Sequence, residues 1–315
     1  MVGTTHNFIN QLGRSKERVE QRLDVLLSVA AFPKSSLIRA ARYAVLGAGK
    51  RFRPIVSIAT AMALGVKDKD VIDPACAIEF VHAASLIMDD LPCMDDAKLR
   101  RGKPACHIVY GEDITLLTAI SLLNQSYAVI STASSLDHET RVRVSSILSN
   151  SVGFDGLAYG QALDLHAQTE EVDVAQLEIM QKQKTASLFV AATEIGALVA
   201  GANDEQLELT KQFGLHMGRA FQILDDLLDA TGEIENVGKD IGQDAGKPTF
   251  ASLLGVREAE LIAQHEVETA MKAVTFTGDN ISAFASIAHM MLDSHMKKAP
   301  HNKSLENLNK VLENY

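Results

Sequence analysis

Apolar residues recur at helical spacing through nearly the whole chain, and two stretches, 74–92 and 186–202, are apolar almost all round. A helix with no polar face must be enclosed by other helices. That requirement predicts an all-α protein built as one large helical bundle. Helices are expected at about 6–31, 35–47, 54–64, 74–92, 112–135, 138–168, 173–201, 204–230, 249–272 and 279–297, and alternating strand patterns are nearly absent. Pro54 and Pro74 suit first helical turns, with Asp73 and Ser35 as N-caps. With 315 residues, 47% of them hydrophobic, and no linker or low-complexity tract, a single domain over 1–315 is expected.

Two carboxylate clusters interrupt this apolar background. One is Asp89-Asp90-Leu91-Pro92-Cys93-Met94-Asp95-Asp96 and the other Asp225-Asp226-Leu227-Leu228-Asp229. Adjacent carboxylates repel one another and are costly to desolvate, so groups emerging together from apolar helices point to bound cations. Oxygen ligands suit hard divalent ions, Mg²⁺ above all. Asp225 and Asp229 share a helix face, their Cβ atoms about 5–6 Å apart, with Asp226 flanking. Pro92 stops or kinks the first helix and lets Asp95 return toward Asp89. Asp89, Asp90, Asp95, Asp225, Asp226 and Asp229 are therefore the candidate metal ligands. A lone motif of this kind is commonly an exposed acidic turn, but a pair of them forms a two-sided cage. Such a cage takes a diphosphate only through bridging metals.

The net charge of −10 argues against nucleic acid as a partner. Yet seven of the 30 Lys and Arg fall within Lys50–Arg53 and Lys98–Lys103, a pattern of local anion capture. Lys50 and Arg53 stand at a helix start, which makes either an anion site or a solvated basic turn. Arg100 and Arg101 cannot easily share one face, so they serve two anions or pair with Asp95 and Asp96. His82 lies two helical turns before Asp89 on the same face, as a ligand-facing or a packing residue. Lys184-Thr185 sits in an apolar helix, with Gln222 on another; the lysine needs a partner or must snorkel outward. The Gly-rich segment Gly232–Pro248, which carries Lys239 and Lys247, reads as a lid.

Cys76, Cys93 and Cys106 lack metal-ligand spacing and read as reduced thiols. Met1–Asn10 has no signal-peptide pattern, and the longest apolar run, Ala186–Ala202, is interrupted by Glu194 and short for a bilayer. A soluble, cytoplasmic protein without a transmembrane segment is expected. The polar tail His295–Tyr315 is expected to be a loosely docked final helix.

Six segments occur in a telling order: LGAGKRFRP (46–54), IEFVHAASLIMDDLPCMDDAKLRRGKPACH (78–107), GLAYGQALDL (156–165), KTASLF (184–189), GRAFQILDDLLD (218–229) and GKDIGQDAGKPT (238–249). Across residues 40–255 the chain resembles the trans-prenyltransferases, the short-chain isoprenyl diphosphate synthases, and among them bacterial geranylgeranyl diphosphate synthases. The resemblance implies an isoprenoid-synthase bundle around a deep central cavity, a homodimer, and three Mg²⁺ ions between the aspartate motifs. It implies condensation of isopentenyl diphosphate with an allylic diphosphate (dimethylallyl, geranyl or farnesyl). It assigns Lys50, Arg53, His82 and Arg101 to isopentenyl diphosphate, and Arg100, Lys239 and Lys247 to the allylic diphosphate. It sets Lys184, Thr185 and Gln222 around the allylic cation and its leaving group. Gln161 and Asp164 match a family segment and are held as structural. The family usually has Gly-Gly before Lys50; here it is Ala48-Gly49.

Ala84 lies five residues before Asp89, about 7.5 Å below it along the helix axis, with Ser85 beside it. Farnesyl-forming relatives commonly carry an aromatic residue at Ala84. The small residue implies a longer product, geranylgeranyl diphosphate, with Leu122, Leu123 and Tyr127 as candidate floor. Farnesyl diphosphate is the alternative product. A class I terpene cyclase fits less well, because its second motif normally mixes Asn, Ser or Thr with Glu. An inactive partner subunit would lose aspartates, and this chain keeps all of them.

Overall fold

Helix boundaries follow the apolar spacing, and local chemistry decides where the long segments break. The computed structural model describes residues 2–31, 34–47, 49–167, 171–231, 248–296, 308–309 and 312. Helix α1 spans Val2–Leu26, α2 Ser36–Val45, α3 Phe52–Ala63 and α4 Ile72–Asp89. A two-stranded hairpin follows, β1 Leu99–Arg100 against β2 Lys103–Pro104. Its two-residue turn, Arg101-Gly102, has positive φ at both positions (55° and 74°), the mark of a type I′ turn. Then come α5 Cys106–Tyr110, α6 Glu112–Thr132, α7 His138–Val152, α8 Leu157–His166 and α9 Val174–Gln181. A π-helical turn, Lys182–Ala186, leads into α10 Ser187–Val199, α11 Asp204–Thr231, α12 Phe250–Leu254, α13 Val256–Ala273 and α14 Ile281–Met296.

Four expectations are corrected. The segment 138–168 is two helices, because the chain folds back at Gly156 so tightly that a Cβ there would lie 2.2 Å from the Ser151 carbonyl oxygen. The segment 173–201 is α9, the π turn and α10, with Asp173 and Gln176 forming a capping box at its start. The segment 249–272 breaks at Gly255, whose φ is 89°. Asp73 is not an N-cap: α4 begins one residue earlier, and Asp73 pairs with Arg22 of α1 at 2.7 Å. Ser35 does cap α2, accepting from the Ile38 amide at 3.4 Å.

The two helices expected to lack a polar face are the central ones. In α4, Pro74 through Val81 are buried in unbroken succession, and α10 buries nine of its 13 residues. Helix α4 packs against α3 and α6; α10 packs against α3, α7 and α11; α11 packs against α13. Phe52 of α3, Phe189 of α10 and Phe221 of α11 meet with ring centroids 5.4–5.9 Å apart and join these layers below the charged residues described next. Among the described residues, α6 alone is long and apolar enough to cross a membrane by composition. It buries Thr118, Ala119, Leu122 and Ser126 while exposing Leu116, Leu117 and Ile120.

Candidate active site

The first carboxylate cluster stands at the C-terminal end of α4. Asp89 is the last helical residue, and the turn through Pro92 brings the Asp95 amide back onto the Asp89 carbonyl at 2.9 Å. The return expected of Asp95 is therefore made by the backbone itself. Asp90 is enclosed, 1% exposed, and accepts from the Arg100 guanidinium through Nε at 2.8 Å and through a still closer Nη2 contact. Asp89 and Asp95 are only half-buried, whereas Asp90 is enclosed with its guanidinium partner. Burial pushes the Asp89 carboxyl up to about 6; Lys184 draws it down and Asp95 pushes it further up. Burial also raises Asp90, against the pull of Arg100. The helix dipole adds to the difficulty, because a helix C-terminus disfavours negative charge.

Behind this wall lies a pocket of opposite sign. Arg51 adopts a left-handed conformation (φ 53°) at the start of α3 and turns inward, where Nη1 donates to the buried Glu79 carboxylate at 2.8 Å. Gly49 makes room for it: a Cβ there would lie 2.6 Å from Arg51 Nη1 and 2.8 Å from Arg101 Nη1. Arg53 Nη1 donates to His82 Nε2 at 3.2 Å, and its guanidinium lies 4.9 Å from the centroid of the Phe189 ring. Burial, then Arg53, Arg101, Arg100 and Arg51, hold His82 well below its ordinary value, so it is neutral at pH 7. Burial lowers Arg53 to about 10 and lowers Arg101 as well. Four arginines thus crowd a neutral histidine and the carboxylate of Glu79, with Lys50 exposed at the rim. The hairpin parts the two adjacent arginines: Arg100 goes to Asp90 and Arg101 to the Gly49 side.

The second wall is α11 with the π turn against it. Thr185 Oγ1 donates to Gln222 Oε1 at 2.7 Å, Gln222 Nε2 donates to Asp226 Oδ1 at 2.7 Å, and Gln181 Nε2 donates to Asp226 Oδ2 at 2.9 Å. Asp225 Oδ1 meets His295 Nε2 at 3.2 Å. The partner that Lys184 requires is Asp164, whose Oδ2 accepts from Nζ at 2.7 Å. π turns inside helices often mark functional sites, and this one is held by a backbone contact: a Cβ on Gly160 of α8 would lie 2.1 Å from the Lys184 amide nitrogen. Charges of the two walls are felt across the site: Lys184 lowers the Asp89 carboxyl, and Asp225 raises Arg53. The Asp229 side chain, Lys239, Lys247 and the rest of the expected lid, 232–247, lie outside the described residues. Ala84 is fully buried in one core cluster with Ala119 and Leu122, while the Ser85 hydroxyl donates to the His82 carbonyl at 2.9 Å.

Sequence reasoning missed Glu79, Gln181 and His295. Glu79 carried a signal: a carboxylate inside an otherwise apolar helix requires a buried cation. Gln181 and His295 carried none, because their partners are 45 and 70 residues away.

The donors fit Mg²⁺ of a particular kind. Among the described residues no three carboxylates, imidazoles or thiols converge on one point. Mg²⁺ is commonly held by one or two carboxylates together with substrate phosphates and water, which suits two facing clusters of hard oxygens.

A family model described as polyprenyl synthetase matches residues 34–285. The geranylgeranyl diphosphate synthase of Pantoea ananas is 42% identical over 244 residues, covering 77% of this chain and 80% of that protein. The farnesyl diphosphate synthase of Bacillus subtilis is 37% identical over 260 residues, covering 81% and 88%. The structure of a geranyltransferase from Helicobacter pylori, complexed with magnesium and isoprenyl diphosphate, matches with a TM-score of 0.79 at 31% identity, covering 92% of this chain and 98% of that one.

Proposed function

Because the chain belongs to the polyprenyl synthetase family, whose trans-prenyltransferase activity it shares, we propose that it makes geranylgeranyl diphosphate. In this reading it condenses isopentenyl diphosphate head-to-tail with dimethylallyl, geranyl or farnesyl diphosphate and uses Mg²⁺. One observation carries the two-substrate reading: a pocket of arginines lies beside two facing carboxylate clusters. The pocket suits a diphosphate held directly, and the clusters suit one held through cations.

Mg²⁺ bound between the clusters, three ions by family resemblance, would neutralise charge on the departing diphosphate. Lys184, braced by Asp164, and Arg100, braced by Asp90, offer donors to that same group. Lys239 and Lys247 join them from the lid in this reading. The linked Thr185 and Gln222 present neutral dipoles to the allylic cation. Lys50, Arg53 and Arg101 hold isopentenyl diphosphate in line for attack. His82 accepts from Arg53 at Nε2, so its neutral ring keeps the Nδ1 hydrogen to donate. The final proton goes to the departing diphosphate. Water must be kept out to protect the cation, which is the task assigned to the lid.

Product length rests on Ala84, small and buried where α4 meets α6. The relatives carry both geranylgeranyl and farnesyl names, so farnesyl diphosphate is the second reading. Chain-length analysis with Mg²⁺, isopentenyl diphosphate and primers of increasing length tests it. Conversion of farnesyl diphosphate to a C20 product supports the first reading; products that stop at C15 support the second. Ala84→Phe shifts the product toward C15. A homodimer is supported by the exposed row Ile108, Val109, Leu116, Leu117 and Ile120 on α5 and α6, which suits a second copy. Leu117→Lys with Ile120→Lys then yields a monomer in light scattering.

A further inference from the structure

We propose that His295, on the C-terminal helix α14, is the positioning residue that sets the Asp225 carboxylate for cation binding. The inference rests on the reading that Asp225 holds a cation. His295 is 1% exposed, in a region whose sequence suggests only a polar tail. Its ring is fixed on three sides. Nδ1 donates to the Met291 carbonyl one turn back at 2.8 Å, and Nε2 meets Asp225 Oδ1 at 3.2 Å. It packs T-shaped with Phe221, centroids 5.3 Å apart at 78°, and Phe221 is itself part of the Phe52–Phe189 cluster.

Asp225 and Asp226 are successive on α11 and so point about 100° apart. They cannot share a brace. Asp226 is gripped on both oxygens by Gln181 and Gln222. His295 gives Asp225 a brace from a different helix. Asp225 stays 25% exposed beside a ring that is almost fully buried, so the brace comes from the protein interior. Hydrogen-bond partners behind metal-ligating groups typically change metal affinity or activity 10–100-fold when removed. Docking of α14 is thereby coupled to the second metal wall.

The test titrates Mg²⁺ into the full chain with inorganic diphosphate, followed by calorimetry, alongside steady-state kinetics and thermal melts. A glutamine amide reaches the place of Nε2, while an asparagine amide reaches only that of Nδ1. His295→Asn is expected to weaken Mg²⁺ about tenfold and to lower kcat by a similar factor with little change in KM for isopentenyl diphosphate. His295→Phe, which keeps the ring packing, loses as much. His295→Gln stays within about threefold of the parent. Equal losses in the Asn and Gln variants, or unchanged Mg²⁺ affinity in the Asn and Phe variants, overturn the proposal. Asp225→Asn separates the two readings. If it too leaves Mg²⁺ binding intact, the cation reading of Asp225 fails. If it weakens binding while His295→Asn and His295→Phe do not, only the positioning role fails.

Discussion

The two carboxylate walls are built from the same residue type and made tolerable in opposite ways. The α4 wall sits at a helix C-terminus, where the dipole opposes it, and it is balanced by charge: Arg100 clamps Asp90, and Lys184 acts on Asp89. The α11 wall lies within a helix and is braced by neutral amides on Asp226 and by His295 on Asp225. One wall is compensated, the other oriented. Damage to the first should therefore show as a charge effect on stability, and damage to the second as a loss of geometry.

Asp89 gives the largest contrast. Asp89→Asn should lower kcat by about 10³-fold, the usual scale for a lost electrostatic contact to a leaving group, measured with labelled isopentenyl diphosphate. A loss below about tenfold would remove Asp89 from the chemistry. The same change should stabilise the metal-free protein. The Asp89 carboxyl is raised from 3.8 to about 6 in the folded chain, so its stabilising contribution is complete below 3.8 and lost as pH rises through about 6. With metal chelated, the melting temperature of the parent should fall relative to Asp89→Asn between about pH 4 and about pH 7. Parallel melting curves across that window would show that Asp89 carries no such burden.

Removing the braces sharpens the comparison at the next scale. Arg100→Ala leaves a fully buried Asp90 carboxylate without its guanidinium and should cost about 3 kcal/mol in denaturant unfolding. Gln181→Ala removes one hydrogen bond from a neutral amide to the Asp226 carboxylate and should cost about 1.5 kcal/mol, with its main effect on Mg²⁺ dependence. Equal costs would erase the distinction between a charged and a neutral brace.

Much of the first wall was legible because its signals are local. Pro92 marks the end of α4, and seven residues from Asp89 to Asp95 suffice to predict the returning turn that the Asp95 amide makes. The burial of α4 and α10 inside the bundle followed from their lack of a polar face. The braces of the second wall are tertiary. Nothing in the spacing of Gln181 or His295 ties them to α11, and the π turn at Lys182–Ala186 barely disturbs the helical period that was read through it. The false boundary at Asp73 has the same origin: its carboxylate suits a cap, but Arg22 from a distant helix claims it.

Two glycines, one behind each wall, separate the walls by mechanism, and the second of them gives the smallest predicted effect. At Gly160 an added Cβ meets the Lys184 backbone at 2.1 Å, and backbone within a packed π turn cannot swing away. Gly160→Ala should cost about 2 kcal/mol and lower kcat through the displaced Lys184. At Gly49 the clash is with the tips of Arg51 and Arg101, at 2.6 and 2.8 Å, and guanidinium groups on long side chains can rotate aside. Gly49→Ala should cost under about 1 kcal/mol and appear chiefly as a raised KM for isopentenyl diphosphate, because what moves is the arginine pocket. If the KM effect fell on Gly160 and the kcat effect on Gly49, the assignment of the pocket to one substrate and of the π turn to the leaving group would be reversed.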